Sequence, residues 1–249
     1  LPATGSEMNG NAVISRKSTQ EKLGFGDVRL NPVFSILDPE TTFSLPVNQL
    51  RNGIVDAFVH VMEQYLTYPV NTPLQDRQAE AVLLTLIEEA DAILSDPPQY
   101  DARANFMWCA TQALNGLLSR GTVGDWATHP IGHELTAFYG MAHGETLAVV
   151  YPSMMRFKKD AKKVKMLQYA ERVFGLRGLP EEEMLQQAAD QTEAFFRRIG
   201  IGTRLKEYNV NAAEAAEKIS ARFAERGWKL GEHEDIDAEA VRQILLNAA

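Results

Sequence analysis

The sequence lacks the features that mark several classes of protein. Its 249 residues include one cysteine, Cys109, which excludes an internal disulfide framework and fits a reducing, cytoplasmic setting. It has no excess of positive charge, because 25 Lys and Arg stand against 33 Asp and Glu, so neither nucleic acid nor an anionic membrane is an expected partner. No apolar run is long enough for a membrane span, and no secretory signal is expected. The apolar fraction of 45% is typical of a globular protein.

The residue pattern of the chain changes near residue 46. Residues 1–46 contain the strand-like runs NAVISR and PVFSILD, rich in β-branched and aromatic residues and bounded by Gly, Asn and Pro, while KLGFGD between them predicts a hairpin arm. Two or three strands are too few for an independent sheet. We therefore expect them to form the edge of a sheet whose other strands lie outside this sequence.

After residue 46 the apolar spacing becomes helical. Asn48 is a candidate N-cap for a first helix whose apolar residues recur every four positions, and Thr72-Pro73 predicts the N-cap and first residue of a second. Asp125 is a candidate cap for the helix that carries WATHPIGHELTAFYG. The remaining helices are expected in ARANFMWCATQALNGLLSR, WATHPIGHELTAFYG, ETLAVVYPSMMRFKKD, DAKKVKMLQYAERVFG, PEEEMLQQAADQTEAFFRRIG, NAAEAAEKISARFAERG and DAEAVRQILLNA. The predicted fold class is mainly α, with an all-helical domain at 47–249 preceded by a few strands.

Asp56 and His60 lie four residues apart in the apolar helical segment GIVDAFVHVMEQYL. This spacing places both side chains on one face of a helix. An aspartate in such a segment needs a partner, because burial of an unpaired carboxylate is costly. A divalent cation or a basic side chain would serve, and the segment alone leaves both open.

The stretch HPIGHELTAFYGMAHG contains three of the five histidines. His129 and His133 repeat the four-residue spacing, and Pro130 places the first of them in the opening turn of a helix. His143 follows a glycine and is expected in a loop. Imidazole and carboxylate ligands suit zinc or ferrous iron, and such an ion polarises a carbonyl oxygen as a Lewis acid. The alternative is that these polar residues satisfy each other without an ion.

Two other residues are not expected to belong to a metal site. Glu134 follows His133, but HPIGHEL has the wrong order and spacing for the HExxH motif of zinc hydrolases. His233 lies among acidic residues in GEHEDID and is predicted to be a solvated surface residue.

Four segments resemble a known family in their order and spacing: LPATGSEMNGNAVI, LDPETTFSLP, DAFVHVMEQYL and HPIGHELTAFYGMAHGETLAVV. The whole chain is similar to the C-terminal two thirds of the group III, metal-dependent (iron-containing) alcohol dehydrogenases, in particular to the branch of NADPH-dependent aldehyde reductases and butanol dehydrogenases. The resemblance implies that residues 1–46 are the remnant of a Rossmann-like cofactor-binding α/β domain. Residues 47–249 would be the helical metal-binding and catalytic domain.

The resemblance also implies functional residues. One divalent metal, zinc rather than iron in this branch, would be held by Asp56, His60, His129 and His143. His133 would line the site in a catalytic role, relaying a proton or touching substrate. Cofactor-binding positions are implied at Thr4, Gly5, Ser6, Asn9, Lys22, Thr41, Thr42 and Leu45.

The implied activity is reversible reduction of an aldehyde to a primary alcohol, with hydride from NADPH in preference to NADH, in a cytoplasmic homodimer. Trp126, Phe138 and Tyr139 are candidates either for the wall of the substrate pocket or for helical core packing. The family's Gly-rich phosphate loop does not occur in these residues, which on their own are expected to bind the dinucleotide weakly or not at all. Two alternatives remain: a related glycerol dehydrogenase-like or dehydroquinate synthase-like enzyme, and an inactive helical fragment without cofactor.

Overall fold

Nine α-helices form most of the computed structural model, which describes residues 1–249. They are α1 Val47–Tyr65, α2 Pro73–Ile93, α3 Tyr100–Leu114, α4 Thr128–Tyr139, α5 His143–Phe157, α6 Lys163–Phe174, α7 Glu181–Arg198, α8 Ala212–Arg226 and α9 Ala238–Leu246. No helix combines the length and the hydropathy that a bilayer span requires. The mainly α fold is as predicted from the spacing of apolar residues.

One antiparallel hairpin precedes the helices. Strand β1 (Asn11–Arg16) pairs with β2 (Glu21–Gly26) along their full length, which confirms the strands expected in NAVISR and KLGFGD. The strand expected in PVFSILD is wrong, because residues 32–38 form no strand, and Val33, Phe34 and Ile36 are exposed. A β-branched, aromatic composition favours a strand only where a neighbouring strand pairs with it, and no other strand reaches this segment.

Helix α1 lies at the centre of the helical region and packs against α2, α3 and α5. From residue 52 to residue 65 every side chain except Asp56 is buried, although polar residues recur on one face of this stretch. The polar residues of this stretch, which include Glu63 and Gln64 besides Asp56 and His60, must find partners in the interior. The candidate site therefore begins in the middle of a core helix.

The core consists of two apolar clusters that meet at α5. The first contains side chains of α1, α2, α3, α6 and α7, and the second contains side chains of α4, α8 and α9. Helix α5 contributes Leu147 and Tyr151 to the first cluster and Val149 and Val150 to the second. Since Asp56 comes from the first group of helices and His129 from the second, the candidate site lies where the two clusters join.

The ends of three helices differ from the sequence prediction. Helix α1 follows Pro46, so Asn48 lies in its first turn and is not its cap. Helix α4 begins after Ala127, whose N–H donates to the Asp125 carboxylate at 2.9 Å, so Asp125 precedes the cap by two residues. Helix α3 ends at Leu114, which leaves the NGLLSR end of its predicted segment in turns. Thr72 is confirmed as the N-cap residue of α2, with Pro73 as its first residue.

The loop expected at His143 is also wrong, because His143 is the first residue of α5. Gly140 ends α4 in the left-handed conformation at φ 71°, and only Met141 and Ala142 separate it from α5. The Glu145 carboxylate accepts the Ala142 N–H at 2.9 Å. This side-chain bond lets α5 begin at once after the turn.

Candidate metal centre

Three histidines surround one carboxylate oxygen. Asp56 Oδ1 lies 3.4 Å from His60 Nε2, 3.7 Å from His129 Nε2 and 3.5 Å from His143 Nε2. Helix α1 supplies Asp56 and His60, the first turn of α4 supplies His129, and α5 begins with His143. The fold thus brings together the side chains that the sequence separates by up to 87 positions.

The three distances from Asp56 Oδ1 are close to the edge length of a tetrahedral zinc site. Ligands at about 2.0–2.1 Å from a central ion lie about 3.3 Å apart along each edge of the tetrahedron. Donor atoms of Asp56, His129 and His143 all lie within 4.8 Å of one another. His60 is not part of this mutual group, although its Nε2 is the nitrogen nearest to Asp56 Oδ1.

The donor atoms also have the surroundings of ligand atoms. Asp56 Oδ1 and His129 Nε2 are buried and have no hydrogen-bond partner, and a buried polar atom without a partner is costly. The rings of His60 and His129 stack at 4.7 Å with an angle of 10° between their planes. A divalent cation fits this donor set, because it would satisfy the oxygen and the nitrogens together.

Burial and neighbouring charge set the protonation of these groups. Burial lowers the pKa of His60 to about 4, and it lowers the pKa of His143 well below its ordinary value. Burial by itself would raise the pKa of Asp56, but the three imidazoles outweigh it and hold that pKa below its ordinary value. Neutral imidazoles and an ionised carboxylate are the forms that bind metal ions.

His129 differs from the other histidines. Burial would lower its pKa, but Glu63 and Asp56 on either side outweigh burial and raise the pKa to about 9. Its Nδ1 pairs with Glu63 Oε2, and its Nε2 faces Asp56. Binding of a cation at Nε2 therefore requires the loss of the proton on Nε2, the nitrogen that faces Asp56.

Glu63 is a residue of the site that the sequence analysis missed. Its carboxylate is buried and also accepts the Thr128 N–H at 2.6 Å. One signal was present in the sequence, since Glu63 lies seven residues after Asp56 and hence on the same face of α1. That spacing indicates a residue of the site only when the helix is known to be buried on all sides.

A cavity of about 290 Å³ lies beside the histidines and is lined by His129, His133, Lys22 and two tryptophans. Burial lowers the pKa of His133 to about 3, so its ring is neutral near pH 7. Burial also lowers the pKa of Lys22. Of the candidate wall residues, Trp126 lines this cavity and Trp228, which the sequence analysis did not single out, lines it as well.

The hairpin covers this cavity because α8 holds it in place. Arg222 donates to the Gln20 carbonyl oxygen at 2.6 Å, and Arg226 donates to Glu21 at 2.8 Å. The same two arginines bind the buried Glu134 carboxylate at 2.6 and 3.1 Å. Glu134 is therefore paired with two arginines and is not available as a hydrolytic base, in agreement with its wrong spacing for the HExxH motif.

Phe138 and Tyr139 lie elsewhere. Both pack against the second core cluster and lie beneath the Lys218 ammonium group at 4.2 and 5.7 Å. His233 is exposed, as expected for a surface residue, and its ring centroid lies 5.1 Å from that of Tyr68.

The positions implied for cofactor binding fall in several surroundings. Thr4 lines a second cavity, of about 160 Å³, together with Asp56 and His143. The side chain of Asn9 donates to the Leu114 carbonyl oxygen at 3.2 Å. Gly5 and Ser6 lie in the turn after Thr4, and Lys22 lines the cavity beside His129. Thr41, Thr42 and Leu45 lie in the 39–45 segment.

The 39–45 segment is fixed from within. Thr42 is buried, and its hydroxyl donates to the Pro39 carbonyl oxygen at 2.7 Å. The buried Arg103 guanidinium donates to the Thr42 carbonyl oxygen at 2.5 Å, and Leu45 packs against the first core cluster. The Thr41 hydroxyl donates to the Asp38 carbonyl oxygen at 2.6 Å.

Comparison with known proteins identifies the family. Residues 51–249 match the profile described as Fe-containing alcohol dehydrogenase family, C-terminal. The chain belongs to the Fe-containing alcohol dehydrogenase family. The resemblance expected from the sequence motifs is thereby confirmed.

Curated relatives in this family include oxidoreductases of three organisms. The chain is 48% identical over 245 residues to the NADPH-dependent aldehyde reductase YqhD of Escherichia coli. It is 43% identical to the NADP-dependent alcohol dehydrogenase 3 of Entamoeba histolytica and 40% identical to the probable NADH-dependent butanol dehydrogenase 1 of Bacillus subtilis. Each match includes 98% of this chain but only 62–63% of the relative.

Solved structures of the Fe-containing alcohol dehydrogenase family share the fold. The crystal structure of Escherichia coli YqhD matches the whole chain with a TM-score of 0.97 at 47% identity. That of the NADH-dependent butanol dehydrogenase A of Thermotoga maritima matches it with a TM-score of 0.93 at 34% identity. In both cases the chain covers 64% of the solved chain.

Proposed function

We propose that this chain supplies the metal-binding half of an NADPH-dependent aldehyde reductase. The observation that carries the proposal is the gathering of three imidazole Nε2 atoms within 3.4–3.7 Å of Asp56 Oδ1. The proposed ligands are Asp56, His60, His129 and His143, with zinc rather than iron as the ion. A bound divalent cation would act as a Lewis acid toward the carbonyl oxygen of the substrate.

The cavity beside His129 is the proposed site of the aldehyde. Its tryptophan walls would restrict the orientation of a small aldehyde. Reduction delivers hydride to the carbonyl carbon and a proton to its oxygen. His133 lines the cavity with a neutral ring, which both donates and accepts a hydrogen bond, so we assign it the relay of this proton.

Cofactor binding is proposed at the opposite side of the metal centre. The smaller cavity, lined by Thr4, Asp56 and His143, supports placing the nicotinamide near the segment 4–6. Preference for NADPH is supported by two relatives, the NADPH-dependent aldehyde reductase of Escherichia coli and the NADP-dependent alcohol dehydrogenase 3 of Entamoeba histolytica. We further propose that residues 1–46 belong to the cofactor-binding unit and residues 47–249 to the helical unit, since α1 begins at Val47.

Cellular setting and assembly are part of the same proposal. A cytoplasmic location is supported by Cys109, which is a free, buried cysteine whose pKa burial raises to about 11, so that it is poorly reactive. A homodimer is proposed by analogy with the family.

The proposed activity is tested by following NADPH oxidation in the presence of butanal. The assay uses an enzyme that joins this chain to a Gly-rich phosphate loop, because these residues on their own are expected to bind the dinucleotide weakly or not at all. We expect turnover that disappears after chelation and returns with zinc. His143→Ala should reduce the rate at least about 100-fold. Loss of a residue that only hydrogen-bonds a metal ligand already lowers metal affinity or activity about 10- to 100-fold, and loss of the ligand itself should lower it more.

His233→Ala is the matched control and should retain the rate, because His233 is exposed and apart from the cluster. Unchanged turnover by His143→Ala after the metal has been removed would contradict the proposed role of the ion. Absence of turnover in the metal-loaded enzyme that includes the phosphate loop would contradict the proposed activity.

A further inference from the structure

Glu63 binds His129 on the side of the ring that faces away from Asp56. One of its carboxylate oxygens pairs with His129 Nδ1, and the other accepts the Thr128 N–H at 2.6 Å. An ionised carboxylate only accepts hydrogen bonds, so Nδ1 must carry the proton of the first bond. The nitrogen of His129 left to face Asp56 is then Nε2.

The other two candidate histidine ligands lack such a partner. His60 Nδ1 and His143 Nδ1 are both buried without a hydrogen bond. A backbone hydrogen bond also fixes the position of Glu63 relative to the start of α4, since the Glu63 carbonyl oxygen accepts the Asp125 N–H at 2.8 Å. Glu63 thus joins α1 to the start of α4 through its backbone and through both carboxylate oxygens.

We propose that Glu63 is a positioning residue that keeps His129 protonated at Nδ1 and directs its Nε2 toward Asp56 Oδ1. A carboxylate behind a histidine ligand fixes the orientation of the ring and raises its basicity as a ligand. His129 is then the member of the donor set whose ring is oriented before an ion binds. The metal-binding part of this inference rests on the proposed function, whereas the state of His129 does not.

The test compares Glu63→Gln with wild-type protein in two measurements. In competition with a chelator, the zinc affinity of Glu63→Gln should fall about 10- to 100-fold, as for loss of other carboxylate partners of histidine ligands. In the metal-free protein, the Nδ1 proton of His129 should give a downfield NMR signal that exchanges slowly. Replacement of the charged acceptor by a neutral amide should move this signal upfield, because charge-assisted hydrogen bonds are the stronger ones.

Glu80→Gln is the matched control. Glu80 is also a buried carboxylate and accepts from Tyr65, Gln168 and Arg172 at 2.9–3.1 Å, away from the histidines. Its substitution should lower the melting temperature without changing the zinc affinity or the His129 signal. This separates a positioning role from general loss of stability.

The inference is overturned if Glu63→Gln binds zinc within about twofold of wild type, or if Glu80→Gln weakens binding equally. It is also overturned if the Nδ1 signal of His129 does not move in Glu63→Gln. If wild-type protein binds no zinc, the proposed function fails, and the NMR signal alone decides the role of Glu63.

Discussion

Asp56 and Glu63 are acidic residues two turns apart on α1, and they hold the same imidazole from opposite sides. Asp56 faces His129 Nε2 at 3.7 Å, while Glu63 pairs with His129 Nδ1. One carboxylate is thus oriented toward the proposed ion and the other toward the back of a ligand. The four-residue spacing of Asp56 and His60 indicated the role proposed for Asp56. Glu63 resembled an ordinary glutamate of a core helix until its neighbours were known.

A second buried charge cluster lies next to this site. Lys162 Nζ donates to the Asp125 carboxylate at 2.9 Å, to both oxygens of Glu232 at 2.7 and 2.8 Å, and to the Leu66 carbonyl oxygen at 2.6 Å. Burial, together with the nearby Asp125, raises the pKa of Glu232 to about 7 from an ordinary value of 4.5. One ammonium group thus faces two carboxylates.

Glu232 should make folding stability depend on pH. A raised pKa in the folded state means that its contribution is complete below about pH 4.5 and is lost as the pH rises through about 7. Glu232→Gln mimics the neutral acid, so its melting temperature should fall less between pH 5.5 and pH 8 than that of wild type. Thermal unfolding at both pH values measures this, with the exposed Glu234→Gln as control. Parallel curves for wild type and Glu232→Gln would contradict the assignment.

Helices α1, α4 and α5 fix the spacing of the candidate ligands. Gly144, the second residue of α5, approaches the backbone of α1 so closely that a Cβ would lie 2.5 Å from the Asn52 carbonyl oxygen. This contact places His143, the preceding residue, near Asp56. The glycine is therefore required by a helix–helix approach, and its φ angle is not in the left-handed region.

Gly144→Ala should move α5 away from α1. We expect it to lower the free energy of unfolding by about 1–3 kcal/mol, as overpacking does, and to weaken zinc binding because His143 moves with α5. Chemical denaturation and zinc titration measure the two effects. Gly227→Ala is the control, since Gly227 has φ 62° with open space around it and its substitution adds only backbone strain of about 1–2 kcal/mol. Equal zinc affinity in both variants would contradict the spacing role of Gly144.

At the level of elements, the sequence predicted what depends on local periodicity. All nine helices lie in segments whose apolar residues recur at helical spacing. The errors at Asn48 and His143 concern helix ends, where Pro46 and the Gly140 turn decided the boundary. The missing strand at 32–38 depends on partner strands, which a composition rich in Val, Phe and Ile does not reveal.

Across the whole molecule, the site forms where two apolar clusters join. Spacing alone indicated two histidine-containing pairs, but it could not show that helices from both clusters converge on Asp56 Oδ1. The family resemblance supplied that set of residues, and the fold brings them within 3.4–3.7 Å of this oxygen. Neither source pointed to Trp228, because its contact with the cavity depends on the turn that follows α8.

Zinc content per chain tests the central claim most directly. Metal-free protein would be resupplied with zinc, freed of unbound ion and analysed for its elements. The wild type and His233→Ala should retain about one equivalent, His60→Ala should retain less, and Asp56→Ala should retain close to none, because Asp56 Oδ1 is the shared neighbour of all three imidazoles. A wild type without zinc, or an Asp56→Ala variant that keeps a full equivalent, would contradict the account.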